Sequence, residues 1–175
     1  MAKKIDRRTA LKVLGAGVLG VAGLMGFLTK RSDIISFLDA DKDKADASGT
    51  TPVDTRLYKA NGKQLSLLGF GAMRLPTKIT KEIDTEVAEK MIDYAYRRGV
   101  NYFDTAPDYC DEHSEDIFGQ AFQTMDRSTF YVSTKCGLWN AADGDEARKV
   151  LEKSLTKMGL QKIDFFHIWA IKTME

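Results

Sequence analysis

Apolar and polar positions change rhythm several times along this chain, and each change marks an element. A basic start with Lys3, Lys4, Arg7 and Arg8 gives way to a run without charge from Val13 to Thr29. From about Lys30 to Asp54 the sequence turns polar, and "DADKDKADASGTTPVD" has the composition of a tether. The folded part is therefore expected over 55–175. There "TRLYKANGKQLSLLG" sets Asn61-Gly62 between two short runs with apolar residues. Asn-Gly supplies the positive-φ positions of a tight turn, which predicts a hairpin over 56–68.

Strands and helices then alternate. "LLGFGAM" reads as a short strand, and Asp84 to Arg98 as a helix with Val87, Ala88, Met91 and Ala95 on one stripe, closed by Gly99. "VNYFDTA" is the next strand. Ser114, followed by Glu115 and Asp116, reads as an N-cap opening a helix that runs to about Thr124. "TFYVSTK" is again a strand, and Asp143 with Glu146 resembles a capping box for a helix with Val150, Leu151, Leu155 and Met158 buried and Gly159 at its end. The nearly continuous apolar run of "KIDFFHIWAI" predicts a strand buried on both faces. Strands near 101, 130 and 163 recur at roughly the 30-residue length of a βαβ unit, whose right-handed crossovers build a parallel sheet. The fold class is α/β.

Composition changes this picture little. With 175 residues and 43% hydrophobic content the chain suits one domain, and 26 Lys+Arg against 25 Asp+Glu leave no basic footprint for a nucleic acid. A small-molecule partner is expected instead. The two cysteines, Cys110 and Cys136, are too few for a disulfide scaffold and have no metal-finger spacing. The N-terminus carries more information, because a basic segment before an uncharged run is the layout of an export signal. Arg7-Arg8, with Leu11 and Lys12 after it, resembles the twin-arginine signal read by the bacterial export machinery, although Asp6 and Ala10 depart from its usual pattern. Glycines at 15, 17, 20, 23 and 26 weaken the run, whereas a spanning helix needs roughly 17–25 strongly apolar residues. Residues 1–29 therefore predict an exported, periplasmic protein. A membrane anchor is the alternative, since no small-x-small cleavage site directly follows the run and Ala45-Asp46-Ala47 lies far downstream.

Candidate chemistry sits where strands give way to loops. Asp104, Tyr109, Lys135 and the His167/Trp169 pair all fall toward C-terminal strand ends, the rim on which a parallel barrel collects its catalytic residues. A phenol has a pKa of about 10, so a tyrosine gives up a proton at neutral pH only when a cation steadies its anion. Lys135 is the cation at hand, and Asp104 is the carboxylate that would keep it charged. Such a trio suits a carbonyl oxygen becoming an alkoxide.

The stretch "GVNYFDTAPDYCDEHSEDIFGQAF", Gly99 to Phe122, resembles the aldo-keto reductase family, and "GFGAMRL", "YVSTKCG" and "KIDFFHIW" resemble that family's next landmarks. The resemblance implies a (β/α)8 TIM barrel, of which this chain would supply the base hairpin and about four β/α units. It also implies reduction of a small carbonyl substrate with NADPH. By position Tyr109 matches the proton donor, Lys135 the family's lysine and Asp104 its aspartate. Gly71, Ala72 and Met73, together with Asp104, match the loop beside the nicotinamide.

One position departs from the family. Trp169 stands where a histidine is usual and would line the substrate pocket, while His167, two residues earlier on the same strand face, would lie about 7 Å deeper. His167 is thus either the catalytic histidine or a core residue. Cys110 replaces a common glycine. Cys110 and Cys136 are read first as free thiols, with a disulfide, or a metal set completed by His113, as alternatives; no metal is assigned. "GAMRLP" resembles the branch with a ferredoxin-like C-terminal segment, but no counterpart of that segment follows, so no iron–sulfur cluster is expected here. The family's later strands and their cofactor contacts likewise have no counterpart. A truncated reading frame or a half-barrel that self-associates through open sheet edges would account for that, and a non-catalytic binding module is the functional alternative.

Overall fold

The computed structural model describes residues 31–40, 53–78 and 80–171. The twin-arginine-like segment lies outside them. Among the described residues no helix is long and apolar enough to cross a membrane.

In chain order the elements are α1 (Arg31–Ala40), β1 (Thr55–Tyr58), β2 (Lys63–Ser66), β3 (Phe70–Gly71), α2 (Thr85–Arg97), β4 (Tyr102–Asp104), α3 (Ser114–Phe122), β5 (Tyr131–Gly137), α4 (Gly144–Met158) and β6 (Phe165–Trp169). β1 and β2 form the expected antiparallel hairpin. β3, β4, β5 and β6 form one parallel sheet in chain order, which is what consecutive right-handed βαβ crossovers produce.

The alternation along β4 and β5 sorts two faces. Phe103 and Val132, each fully buried, point to the helices, where Phe103, Phe118, Phe122 and Phe130 form a cluster of mostly edge-on and tilted rings. Gly119 lets α3 approach α4, because a Cβ there would stand 2.7 Å from the Lys157 carbonyl oxygen and 2.9 Å from Met158 Cα. Alanine at that position would force the helices apart. Tyr102, Asp104, Ser133 and Lys135 occupy the opposite face of the sheet.

Helix termini follow local chemistry. Asp84 caps α2 by accepting from Val87 N, and Asp143 caps α4 by accepting from Glu146 N at 2.9 Å while the Glu146 carboxylate accepts from Ala142 N at 2.7 Å. Gly159 closes α4 in the left-handed conformation with φ 64°.

Six expectations need correction. Of the stripe expected for α4 only Met158 is buried, while Val150, Leu151 and Leu155 are half-buried and Ser154 is buried instead. The hairpin connection has four residues, 59–62, and only Gly62 is left-handed (φ 72°); the Asn61 side chain instead accepts from Lys63 N at 3.1 Å. Ile92, not Met91, completes the buried stripe of α2. Ser114 is the first residue of α3 rather than its cap, because its hydroxyl is turned to Thr105 Oγ1 at 2.7 Å and to the Ala72 carbonyl at 3.2 Å. Ten residues of the supposed tether form α1, which seats Leu38 and pairs Lys90 with Asp39 and Arg31 with Asp84. Finally, β6 is not buried on both faces: His167 and Ile168 are exposed, since only β5 pairs with it among the described residues.

The base of the sheet is closed by Asp164, whose side chain is 2% exposed. It accepts from Arg127 Nη2 at 2.6 Å, Lys63 Nζ at 3.0 Å and Val132 N at 3.0 Å, which ties the hairpin, β5 and the approach to β6 together. Burial works to raise this carboxyl, but the Arg127, Val132 and Lys63 donors prevail and hold it below the usual carboxylate range.

Candidate active site

Asp104 ends β4 and stands in register with Ser133 of β5, so Lys135 projects from the same face one pleat further toward the rim. Lys135 Nζ lies 2.7 and 2.6 Å from the two Asp104 carboxylate oxygens and 2.8 Å from the Thr105 carbonyl. These contacts engage the whole of an ammonium's donor capacity. The Ser133 hydroxyl also donates to Asp104. The result is a cation fixed in place, with 13% of its side chain exposed.

Tyr109 enters from the loop after β4, and Lys135 Nζ lies 5.1 Å from its ring centroid. The chain then makes an unusual turn, in which Cys110, Asp111 and Glu112 are all left-handed with φ of 55°, 54° and 68°. Each such non-glycine residue costs roughly 1–2 kcal/mol. Compensating bonds hold the turn: Cys110 Sγ donates to the Ala72 carbonyl at 3.3 Å, Lys157 Nζ donates to the Glu112 carbonyl, and Ser114 N donates to the Tyr109 carbonyl at 3.2 Å. Cys110 thus holds a positive φ and anchors the turn to the Ala72 carbonyl.

The nicotinamide-side loop divides. Gly71 pairs with Asp104, and a side chain there would meet nothing within 4 Å, so open space lies beside the carboxylate. Met73 is half-exposed at the rim. Ala72 is fully buried with both polar groups engaged, its N–H on the Asp104 carbonyl and its carbonyl on Ser114 and Cys110. Ala72 thus fixes the segment while Gly71 and Met73 face outward.

His167 and Trp169 lie in different settings. His167 is in register with Lys135 but its Nε2 is 3.5 Å from the Tyr102 hydroxyl, toward the base. Burial pushes the Tyr102 phenol up. Trp169 lies against Tyr109, with ring centroids 6.4 Å apart and planes at 78°. The indole, not the imidazole, borders the Tyr109 ring.

Several participants escaped the sequence reading. Ser133 and Tyr102 each lie two residues before a named site residue on the same strand, so the period of two could have found them. Trp139 and Asp108 gave no such signal, because they are loop residues brought together in space by a 2.8 Å bond from Trp139 Nε1 to Asp108 Oδ2. Cys110 and Cys136 are both free, and burial pushes both thiols up, so each is protonated at neutral pH. Among the described residues no group of three His, Cys, Asp or Glu side chains could hold a metal ion.

A parallel β/α sheet brings an aspartate and a lysine together at its C-terminal rim, with a tyrosine ring 5.1 Å from the lysine. Residues 67–173 match the model of the aldo/keto reductase family, and the chain belongs to that family. Its fold is the family's (β/α)8 TIM barrel, of which the described residues hold the hairpin and the first four parallel strands. L-galactose dehydrogenase of Arabidopsis thaliana is 30% identical over 122 residues, covering 67% of this chain and 38% of that protein. Among solved structures, an aldo-keto reductase from Bacillus halodurans in its holo form superposes with TM-score 0.56 at 24% identity, over 66% of this chain and 40% of that one. One from Klebsiella pneumoniae in complex with NADPH gives 0.54 at 21% identity, over 71% and 42%. The chain thus spans less than half the length of these relatives.

Proposed function

We propose that this chain carries the proton-donating part of an NAD(P)H-dependent carbonyl reductase. The observation that carries the reading is the Lys135 ammonium, clamped by Asp104 and held 5.1 Å from the Tyr109 ring. Tyr109 gives its proton to the carbonyl oxygen as that oxygen takes on negative charge. Lys135 steadies the phenolate left behind, and Asp104 keeps Lys135 both charged and in place. Gly71 leaves open space beside Asp104, and with exposed Met73 it would face a nicotinamide, which when bound would supply the hydride. Family membership and an NADPH-bound neighbour support this choice. Trp169 borders the substrate and His167 supports the sheet face below it.

Replacing Tyr109 by Phe is expected to lower kcat with a reactive aldehyde by at least about a hundredfold, the range for loss of a general acid, with NADPH affinity by fluorescence within about twofold. Wild-type turnover in Tyr109→Phe would overturn the assignment. NADPH binding without turnover of any carbonyl would instead favour a binding module.

We also propose export through the N-terminal segment, on the strength of Arg7-Arg8 ahead of the uncharged run to Thr29. Arg7→Lys combined with Arg8→Lys is expected to retain the protein in the cytoplasm on fractionation. Unchanged delivery across the membrane would leave an ordinary signal or an anchor.

A further inference from the structure

Glu115 and Ser154 are each 1% exposed, and the proposed reductase chemistry uses neither. Glu115 lies in the first turn of α3 and Ser154 on α4, and both line one cavity of 170 Å³ between those helices and the loop after β4. The cavity is on the helix side of the sheet. Thr134, which bonds Glu115, alternates with Ser133 and Lys135 along β5 and so points away from the face that carries Asp104.

Most polar groups around this cavity are already engaged. Asp108 accepts from Trp139 Nε1 at 2.8 Å and from Asn140 Nδ2 at 3.1 Å, while Asn140 Oδ1 accepts from Gly137 N at 3.0 Å. Lys157 Nζ donates to the Glu112 carbonyl and lies 3.6 Å from Asp116. Two buried groups are left short. Among the described residues Ser154 Oγ is shielded and has no hydrogen-bond partner. The Glu115 carboxylate there receives one side-chain hydrogen bond, from Thr134 Oγ1 at 2.8 Å, and no ion pair. A buried carboxylate is costly unless a cation or several donors offset it, and a single neutral hydroxyl does not.

The rest of the lining defines what would complete the site. Three carboxylates, those of Asp108, Glu112 and Glu115, face the ammonium groups of Lys153 and Lys157, so the wall is one positive charge short. Pro107 and Val150 add apolar surface, and 170 Å³ is room for several heavy atoms, well beyond a single water or a bare ion. An ammonium head on a short carbon chain meets each demand. Its N–H groups serve the Glu115 carboxylate and Ser154 Oγ, and its methylenes cover Pro107 and Val150.

We propose that this cavity binds a short primary amine in its protonated form, held by Glu115 and Ser154. The proposal does not depend on the reductase reading, in which neither residue takes part.

Titration of the full chain with n-propylamine hydrochloride at about pH 7, followed by ligand-observed proton NMR, tests it. Saturable binding is expected at low millimolar concentration, with n-propanol, the neutral isostere, at least about tenfold weaker. Glu115→Gln, which keeps an acceptor for Thr134 and the side-chain volume, should weaken the amine at least about tenfold. Ser154→Ala should weaken it about threefold or more and leave the melting temperature of the free protein unchanged or higher, because it removes an unpartnered hydroxyl. Absence of saturable binding up to about 50 mM would overturn the proposal, as would equal binding of n-propanol or an unchanged amine affinity in both variants. Displacement of the amine by potassium chloride, but not by choline chloride at the same ionic strength, would also overturn it by marking a bare-ion site.

Discussion

Two aspartates mark opposite ends of the same sheet, and they are built differently. Asp164, at the base, is 2% exposed and receives two cations and a backbone N–H from three separate parts of the chain. Asp104, at the rim, is 32% exposed and turns its carboxylate to one lysine and one serine. The base spends its carboxylate on joining elements. The rim spends it on holding one charge in place, that of Lys135, which faces a phenol. A strand end saturated with contacts on every side stabilises the fold, whereas one that leaves a face open can do chemistry.

The contrast can be broken by truncating each carboxylate. Asp164→Ala is expected to cost roughly 3 kcal/mol, because it orphans the Val132 N–H and leaves Arg127 and Lys63 without their buried partner. Asp104→Asn should cost less than about 1 kcal/mol, since Lys135 keeps the Thr105 carbonyl and water can reach it. Its main effect should fall on turnover. Chemical denaturation of both variants decides the point, and equal losses of stability would erase the distinction between base and rim.

Acid should sharpen the same comparison by a smaller margin. The folded-state pKa of Asp164 lies below that of a free carboxylate, so its stabilisation is fully present above about pH 4 and is lost as pH falls through the folded value. Asp84 adds to this in the same direction, because Arg31 and the Val87 N–H hold its carboxyl low against the opposing effect of burial. Thermal melts between about pH 7 and about pH 3 should therefore show a steeper acid loss in the wild type than in Asp164→Ala. Parallel curves would mean that Asp164 is not a principal acid-sensitive contact.

Much of the architecture was legible because the period of the pattern changes at each element boundary. Asp143 with Glu146, and Gly159 in the left-handed region, define α4 from both ends through local hydrogen bonds alone. Errors arose where a side chain had a distant choice. Ser114 looks like a cap in the sequence, but Thr105 and Ala72 claim its hydroxyl. The β6 run looks doubly buried by composition, yet burial depends on which neighbours cover a strand, and only β5 does so here. Arg31–Ala40 reads as tether because its few apolar residues make sense only against α2, where Phe37 meets the Tyr94 ring at 5.7 Å.

Short-range periodicity and capping were enough to set the β/α rhythm, the parallel order of the strands and the coincidence of Asp104, Tyr109 and Lys135 with C-terminal strand ends. Contacts across space set Trp169 rather than His167 against Tyr109, seat Trp139 on Gly137 against Trp169, and fasten the Tyr109 loop to Ala72 through Cys110. The physical reason is range. A strand's period of two puts residues 167 and 169 on the same face, but what each side chain meets depends on loops dozens of residues away, and that information is carried by contacts across space.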